Sequence, residues 1–191
     1  GVEIVDIDNG VFRFTVLLSR GMGLLEAERD EVRFGWRSPV VEPVHPSMVP
    51  ISEPSGLGWL DGFNEMFVRC GLTSNGAPEF DENGRLVYPL HGRIANIPAR
   101  KVELSVDGDT GVISLTGVVR ESRLFFHNLE LETTYVTQVG RTGIEIRDVV
   151  TNRSVEPSEF QLLYHTNFGP PLLDEDGKFV LPIKEMAPRD M

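Results

Sequence analysis

The chain has little of what several protein classes require. It holds one cysteine, Cys70, in 191 residues, so no internal disulfide can form, and that usage fits a reducing cytoplasm. Positive charge is scarce: 18 Lys and Arg stand against 29 Asp and Glu, for a net charge of −11. A chain of that sign repels phosphate backbones and anionic lipid, which argues against nucleic acid and a membrane surface as partners. No apolar run approaches the ~20 residues of a membrane span, and no signal-peptide pattern is visible. Phosphate loops, dinucleotide fingerprints, paired-cysteine sites and Gly-x-Ser-x-Gly elbows are all missing, so no cofactor is expected. There is no internal repeat, low-complexity tract or long amphipathic helix.

What is present is ordinary globular composition, 40% hydrophobic and 25% charged with both signs interspersed. Length predicts one domain over residues 1–191 or part of a larger one. The chain opens inside a strand-like run, Gly1-Val2-Glu3-Ile4, and stops at Pro188-Arg189-Asp190-Met191. The expectation is a piece of a longer protein, incomplete at its C-terminus.

Two β-rich runs flank Asp8-Asn9-Gly10 and predict a hairpin. Leu24 to Arg29 reads as a helical turn or a loop, and Glu31 to Trp36 as a short strand. Five prolines between residues 37 and 60 predict a long ordered loop, which Trp36 and Trp59 should pin down. A short helix is expected within Gly58 to Val68, and another loop over residues 73–89. After Pro98, five runs separated by short turns predict an antiparallel meander ending in Phe160 to Asn167. Ile113, Leu115 and Val119 should share one face. The fold class is all-β, an antiparallel sandwich of two packed sheets.

Candidate chemistry concentrates at two histidines. In Phe160 to Phe168, strand alternation puts Gln161, Leu163, His165 and Asn167 on one face. A polar row on a sheet is either satisfied by hydrogen bonds or used by a ligand. His91 sits in Leu90-His91-Gly92-Arg93, between Pro89 and Pro98, and Gly92 would let backbone approach a ligand closely. Arg93 would share the His91 face in an extended stretch and offers a planar fork of donors. The expectation is that both histidines face one sugar-sized pocket. His45 reads as structural or exposed and His127 as a strand-end residue. His45, His91 and His165 lack any metal-ligand spacing, so no metal is expected. Cys70 reads as a small buried side chain, not a nucleophile.

These stretches resemble the aldose 1-epimerase (galactose mutarotase-like) superfamily, closest to a bacterial branch of unknown function. The resemblance rests on Ser19-Arg20-Gly21-Met22, Gly35-Trp36-Arg37-Ser38-Pro39, Arg69-Cys70-Gly71-Leu72, Leu90-His91-Gly92-Arg93, Pro98-Ala99, Asp148-Val149-Val150-Thr151-Asn152 and Tyr164-His165-Thr166-Asn167-Phe168-Gly169. It implies a β-supersandwich that binds a free sugar on a concave sheet face and interconverts its anomers. It further implies His165 as the acid on the ring oxygen, His91 as the group that binds and polarises the sugar, and Arg93 and Asn167 as hydroxyl ligands. The family's general base is a late glutamate. The last glutamate in this sequence is Glu185, in a context that does not match, so the base is expected beyond Met191 and residues 1–191 alone are expected to be inactive. Exposed sheet edges would then favour self-association. The other readings are a carbohydrate-binding or regulatory protein without chemistry, and a lyase or hydrolase in which Arg93 reads a carboxylated sugar.

Overall fold

A computed structural model describes residues 1–178 and 180–187. Pro188 to Met191, where the expected break in the chain falls, lie outside the described residues. The hairpin forms at Asn9-Gly10, joining β1 (Ile4–Asp8) to β2 (Arg13–Leu17). Gly10 takes the positive φ that the turn needs. The buried Asn9 side chain closes the turn by accepting from the Val11 and Phe12 N–H groups. Its Nδ2 donates to Thr137 Oγ1 at 2.7 Å, far along the chain.

Residues 24–29 are neither helical nor a loop. They belong to β3 (Gly23–Arg29), which pairs with β2 on one side, while β4 (Val32–Phe34) folds back onto β3. Leu24 and Ala27 reach the core, and ladder pairing outweighs the helix preference of Leu-Leu-Glu-Ala-Glu-Arg. Residues 37–66 run as a long loop with 3₁₀ turns at Pro46–Met48 and Gly58–Gly62, and Trp59 is buried within it. The helix expected within 58–68 is confined to the second of those turns, and β5 (Phe67–Leu72) follows. The loop expected over 73–89 contains a small antiparallel ribbon, β6 (Glu79–Phe80) with β7 (Leu86–Tyr88).

β8 (Arg100–Val106), β9 (Val112–Arg123), β10 (His127–Gln138) and β11 (Glu145–Asn152) form the meander, in the order β11-β10-β9-β8. The expected fifth strand departs from it. β12 (Gln161–Thr166) crosses to the other sheet and pairs antiparallel with β5, completing the order β1-β2-β3-β5-β12. Two forces favour the crossing: β5 gains a partner for its open edge, and Leu162 packs against the core.

The core fills the space between the sheets. Phe14, Val16, Leu24 and Leu72 from one meet Leu115, Val119, Leu129, Leu131 and Tyr135 from the other. The fold is an all-β antiparallel sandwich. A buried fork crosses the core: Arg69 on β5 donates from Nε and Nη2 to Asp148 on β11, at 2.6 and 2.9 Å. Arg69 also donates to the Met22 carbonyl, and Thr133 donates to Asp148. The pair is enclosed and fully hydrogen-bonded, the condition under which burying two charges is tolerated.

Candidate active site

The site is built where β12 lies against β5. His165 stands opposite Val68 in the register. Strand alternation sends the neighbouring Tyr164 to the other side, where it stacks on Phe67 with ring centroids 5.4 Å apart.

His91 arrives from a loop that backbone hydrogen bonds tie to β5 and to the segment after it. Its N–H donates to the Gly76 carbonyl, its carbonyl accepts from Gly71 at 3.1 Å, and Arg93 N–H donates to the Gly71 carbonyl. His91 has φ +57° and Gly92 φ +72°. Left-handed backbone at a histidine costs on the order of 1–3 kcal/mol and persists only where the surroundings impose it. The glycine has a different use from the one expected. Its missing side chain admits protein rather than ligand, because a Cβ there would sit 2.3 Å from the Gly71 and Ser74 carbonyl oxygens. The same turn removes the extended geometry expected of the stretch, and Arg93 donates to Ser52 Oγ in the proline-rich loop at 3.2 Å.

The two imidazoles meet. Their centroids are 5.5 Å apart and their planes cross at 73°. Trp59 lies 4.7 Å from the His91 ring and 6.2 Å from the His165 ring, and Phe63 lies 5.3 Å from the His165 ring. Trp59 and Phe63 pack together at 4.3 Å, and Trp36 continues the row 5.0 Å from Phe63. His165 Nδ1 is buried and makes no hydrogen bond among the described residues. A pair of imidazoles, each able to donate or accept a proton and walled by aromatic rings, suits proton transfer to a small polar molecule with apolar faces.

Glu65 organises the floor. Its carboxylate is fully buried and accepts from Arg20 Nε and Nη2, at 3.2 and 2.9 Å. Arg20 also donates to the Val44 and Gly62 carbonyls, so one guanidinium ties the long loop to the sheet. The Glu65 carbonyl accepts from Trp36 Nε1 at 3.0 Å and from Asn167 Nδ2 at 3.1 Å. Asn167 therefore reaches the site with its amide nitrogen engaged and its Oδ1 outside that bond. At the far end of β5, the buried Glu121 carboxylate accepts from Leu72 N and Thr73 Oγ1, bracing the turn against which His91 is bonded.

Cys70 packs with Trp59, Val68 and Ala95. Burial, and then the nearby Glu65 charge, push its thiol up to about 12, so it is not a nucleophile near neutral pH. His45 caps the Pro46–Met48 turn by accepting from Ser47 N, and His127 starts β10. Among the described residues, no three His, Cys, Asp or Glu side chains gather as a metal site. Sequence reasoning missed Trp59 and Phe63 as walls of the site, and Arg20 and Glu65 beneath it. The signal for the first two was an aromatic pair set among glycines, Gly58-Trp59-Leu60-Asp61-Gly62-Phe63, within a loop.

The model of one family, described as a domain of unknown function (DUF4432), matches residues 1–191. Among solved structures, the chain is similar to a "putative aldose 1-epimerase" from Klebsiella pneumoniae, at 38% identity over 91% of this chain and 45% of that one, with a TM-score of 0.86. It is also similar to a galactose mutarotase-like protein from Clostridium acetobutylicum, at 15% identity over 92% of this chain and 56% of that one, with a TM-score of 0.57. The Slr1438 protein of Synechocystis sp. PCC 6803 aligns at 14% identity over 80% of this chain and 48% of that one, with a TM-score of 0.51. The last two similarities are of fold alone. No curated protein matches the chain. The chain spans about half the length of the solved structures it matches. No helix among the described residues is long and apolar enough to cross a membrane.

Proposed function

From a chain that belongs to the DUF4432 family and has the galactose mutarotase-like fold, we propose a carbohydrate-active isomerase that interconverts sugar anomers. The observation that carries the reading is the His91–His165 pair, 5.5 Å apart inside an aromatic wall.

In the proposed reaction His165 gives a proton to the ring oxygen as the bond from that oxygen to the anomeric carbon breaks. The anomeric hydroxyl loses its proton to a base, and its electrons form the open-chain aldehyde. Rotation about the first carbon–carbon bond and reclosure on the other face give the second anomer, with both protons returned. His91 binds and polarises the sugar, while Asn167 Oδ1 and Arg93 hold hydroxyls. The base is assigned to a carboxylate outside residues 1–191. Glu65 is held by Arg20 in its buried pair, and Glu185 is exposed and outside regular structure. The lone buried Cys70 supports a reducing cytoplasm as the setting. The open edges of β12 and β8 support self-association of residues 1–191 when expressed alone.

A second reading is a carbohydrate-binding protein without chemistry, which the occupied Glu65 favours. Saturation-transfer NMR on a panel of free aldoses separates the two. Exchange with the full-length protein and none with residues 1–191 is the expected result. Sugar-induced shifts without exchange in either form would replace the enzyme with the binding protein.

A further inference from the structure

The tip of the β9–β10 hairpin breaks the usual rules for a turn. Leu124, Phe125 and Phe126 join the two strands, and Phe126 N–H donates to the Arg123 carbonyl at 3.0 Å. Phe125 has φ +67°, a backbone that Gly or Asn adopts readily and a phenylalanine does not. The three side chains face solvent, at 77%, 94% and 68% exposure. A groove of about 590 Å³ between the tip and residues 153–156 joins them to Val155, which is 99% exposed. That segment is braced. Arg153 N–H donates to the Asn128 carbonyl at 2.7 Å, and Asn128 N–H donates to Ser154 Oγ at 3.0 Å. The Asn152 amide accepts from Ser154 N–H and donates to the Glu156 carbonyl. The Arg123 guanidinium lies over the Phe126 ring, 4.2 Å from its centroid, and holds that ring in place.

Single exposed apolar residues are ordinary, but four on one groove are not. Phe125 and Phe126 present on the order of 300 Å² of surface, and Leu124 and Val155 bring the patch to roughly 600 Å². That is most of the ~800 Å² each partner gives to a standard interface, and the flanking polar residues supply the rest. The rim carries both signs. Arg123 and Glu156 line the same groove, and neither has an ion pair among the described residues, whereas Arg120 and Arg153 are both taken by Glu130. An anionic membrane would attract Arg123 but would meet Glu156 and a net charge of −11. An apolar centre flanked by one spare cation and one spare anion is instead complementary to itself.

We propose that this tip is a dimer interface, and that its occupant is the same tip of a second copy of the full-length protein. In a two-fold pairing the Phe125 rings meet at the centre, and Arg123 of each copy faces Glu156 of the other. The surface is separate from the open edges of β8 and β12, and the proposal holds whether or not the protein is an isomerase.

The test is sedimentation velocity on the full-length protein, which should show a dimer with a Kd of about 10 µM or tighter. Phe125→Asn removes the central ring while suiting the positive φ, so the hairpin is kept, and it should weaken the dimer about thirtyfold or more. Arg123→Glu and Glu156→Arg should each weaken it about tenfold, and both changes in one chain should restore it to within about threefold of wild type. Unchanged far-ultraviolet circular dichroism of each variant separates a lost contact from a lost fold. A wild-type protein that stays monomeric at about 100 µM overturns the proposal and leaves the tip to be covered by the rest of its own chain. A dimer untouched by Phe125→Asn overturns it and puts the contact elsewhere. A double charge variant as weak as the singles removes the two-fold pairing. A monomer that sediments with phosphatidylglycerol vesicles, and loses them in Phe125→Asn, assigns the tip to a membrane instead.

Discussion

Arg20 and Glu65 form an ion pair closed to solvent, 2.9 Å between Nη2 and Oε1, directly beneath the two groups that hang from the Glu65 carbonyl. Removing one partner leaves the other charge buried alone. Arg20→Met and Glu65→Gln should each cost about 3–5 kcal/mol in urea denaturation. Replacing both residues with Met should cost less than either single change, because no orphaned charge remains. A double variant as unstable as the sum of the singles would count against the pair as a unit.

His165→Ala should slow anomer exchange by roughly 10²-fold or more and leave sugar affinity within about tenfold. Exchange and affinity falling together would assign His165 to binding alone. The two are separable by saturation-transfer rates against equilibrium titration.

Gly92→Ala should destabilise the protein by about 2 kcal/mol or more, since the new Cβ meets two backbone carbonyl oxygens at 2.3 Å on a backbone of φ +72°. Gly108→Ala is the control. Nothing lies within 4 Å of its added Cβ, and it should stay within about 0.5 kcal/mol of wild type in the same thermal melts.

The Cys70 thiol gives a pH prediction. Burial raises its folded value from 9.0 to about 12. The unfolded chain therefore loses this proton first. Its contribution to stability is complete below pH 9 and declines from there toward pH 12, by up to about 1.4 kcal/mol per pH unit. The decline should be shallower in Cys70→Val than in wild type when denaturation midpoints are compared from pH 8 to 11. The native thiol should also resist alkylation at pH 8 and react once the chain is unfolded.

The β class was legible because alternation and turn chemistry are local. Asn9-Gly10 announced its hairpin, and Leu115 and Val119 announced their inward face, from residues no more than four positions apart. His91 and His165 stood out for the same reason, each set in a short patterned stretch. Leu24 to Arg29 was misleading because its side chains favour a helix, while its place beside β2 does not.

By itself, then, the sequence determined the antiparallel β character, the long proline-rich loop and the two histidines as candidates. Tertiary structure alone decided that β12 would leave the meander for β5, that Trp59 and Phe63 would wall the histidine pair, and that Arg20 would consume the Glu65 carboxylate. Periodicity reports which way a side chain faces along its own strand. The choice of partner across 45 residues, as for Arg20 and Glu65, or 74, as for His91 and His165, is settled by how edges pair and how the core fills. Those are properties of the packed whole, and no window along the chain contains them.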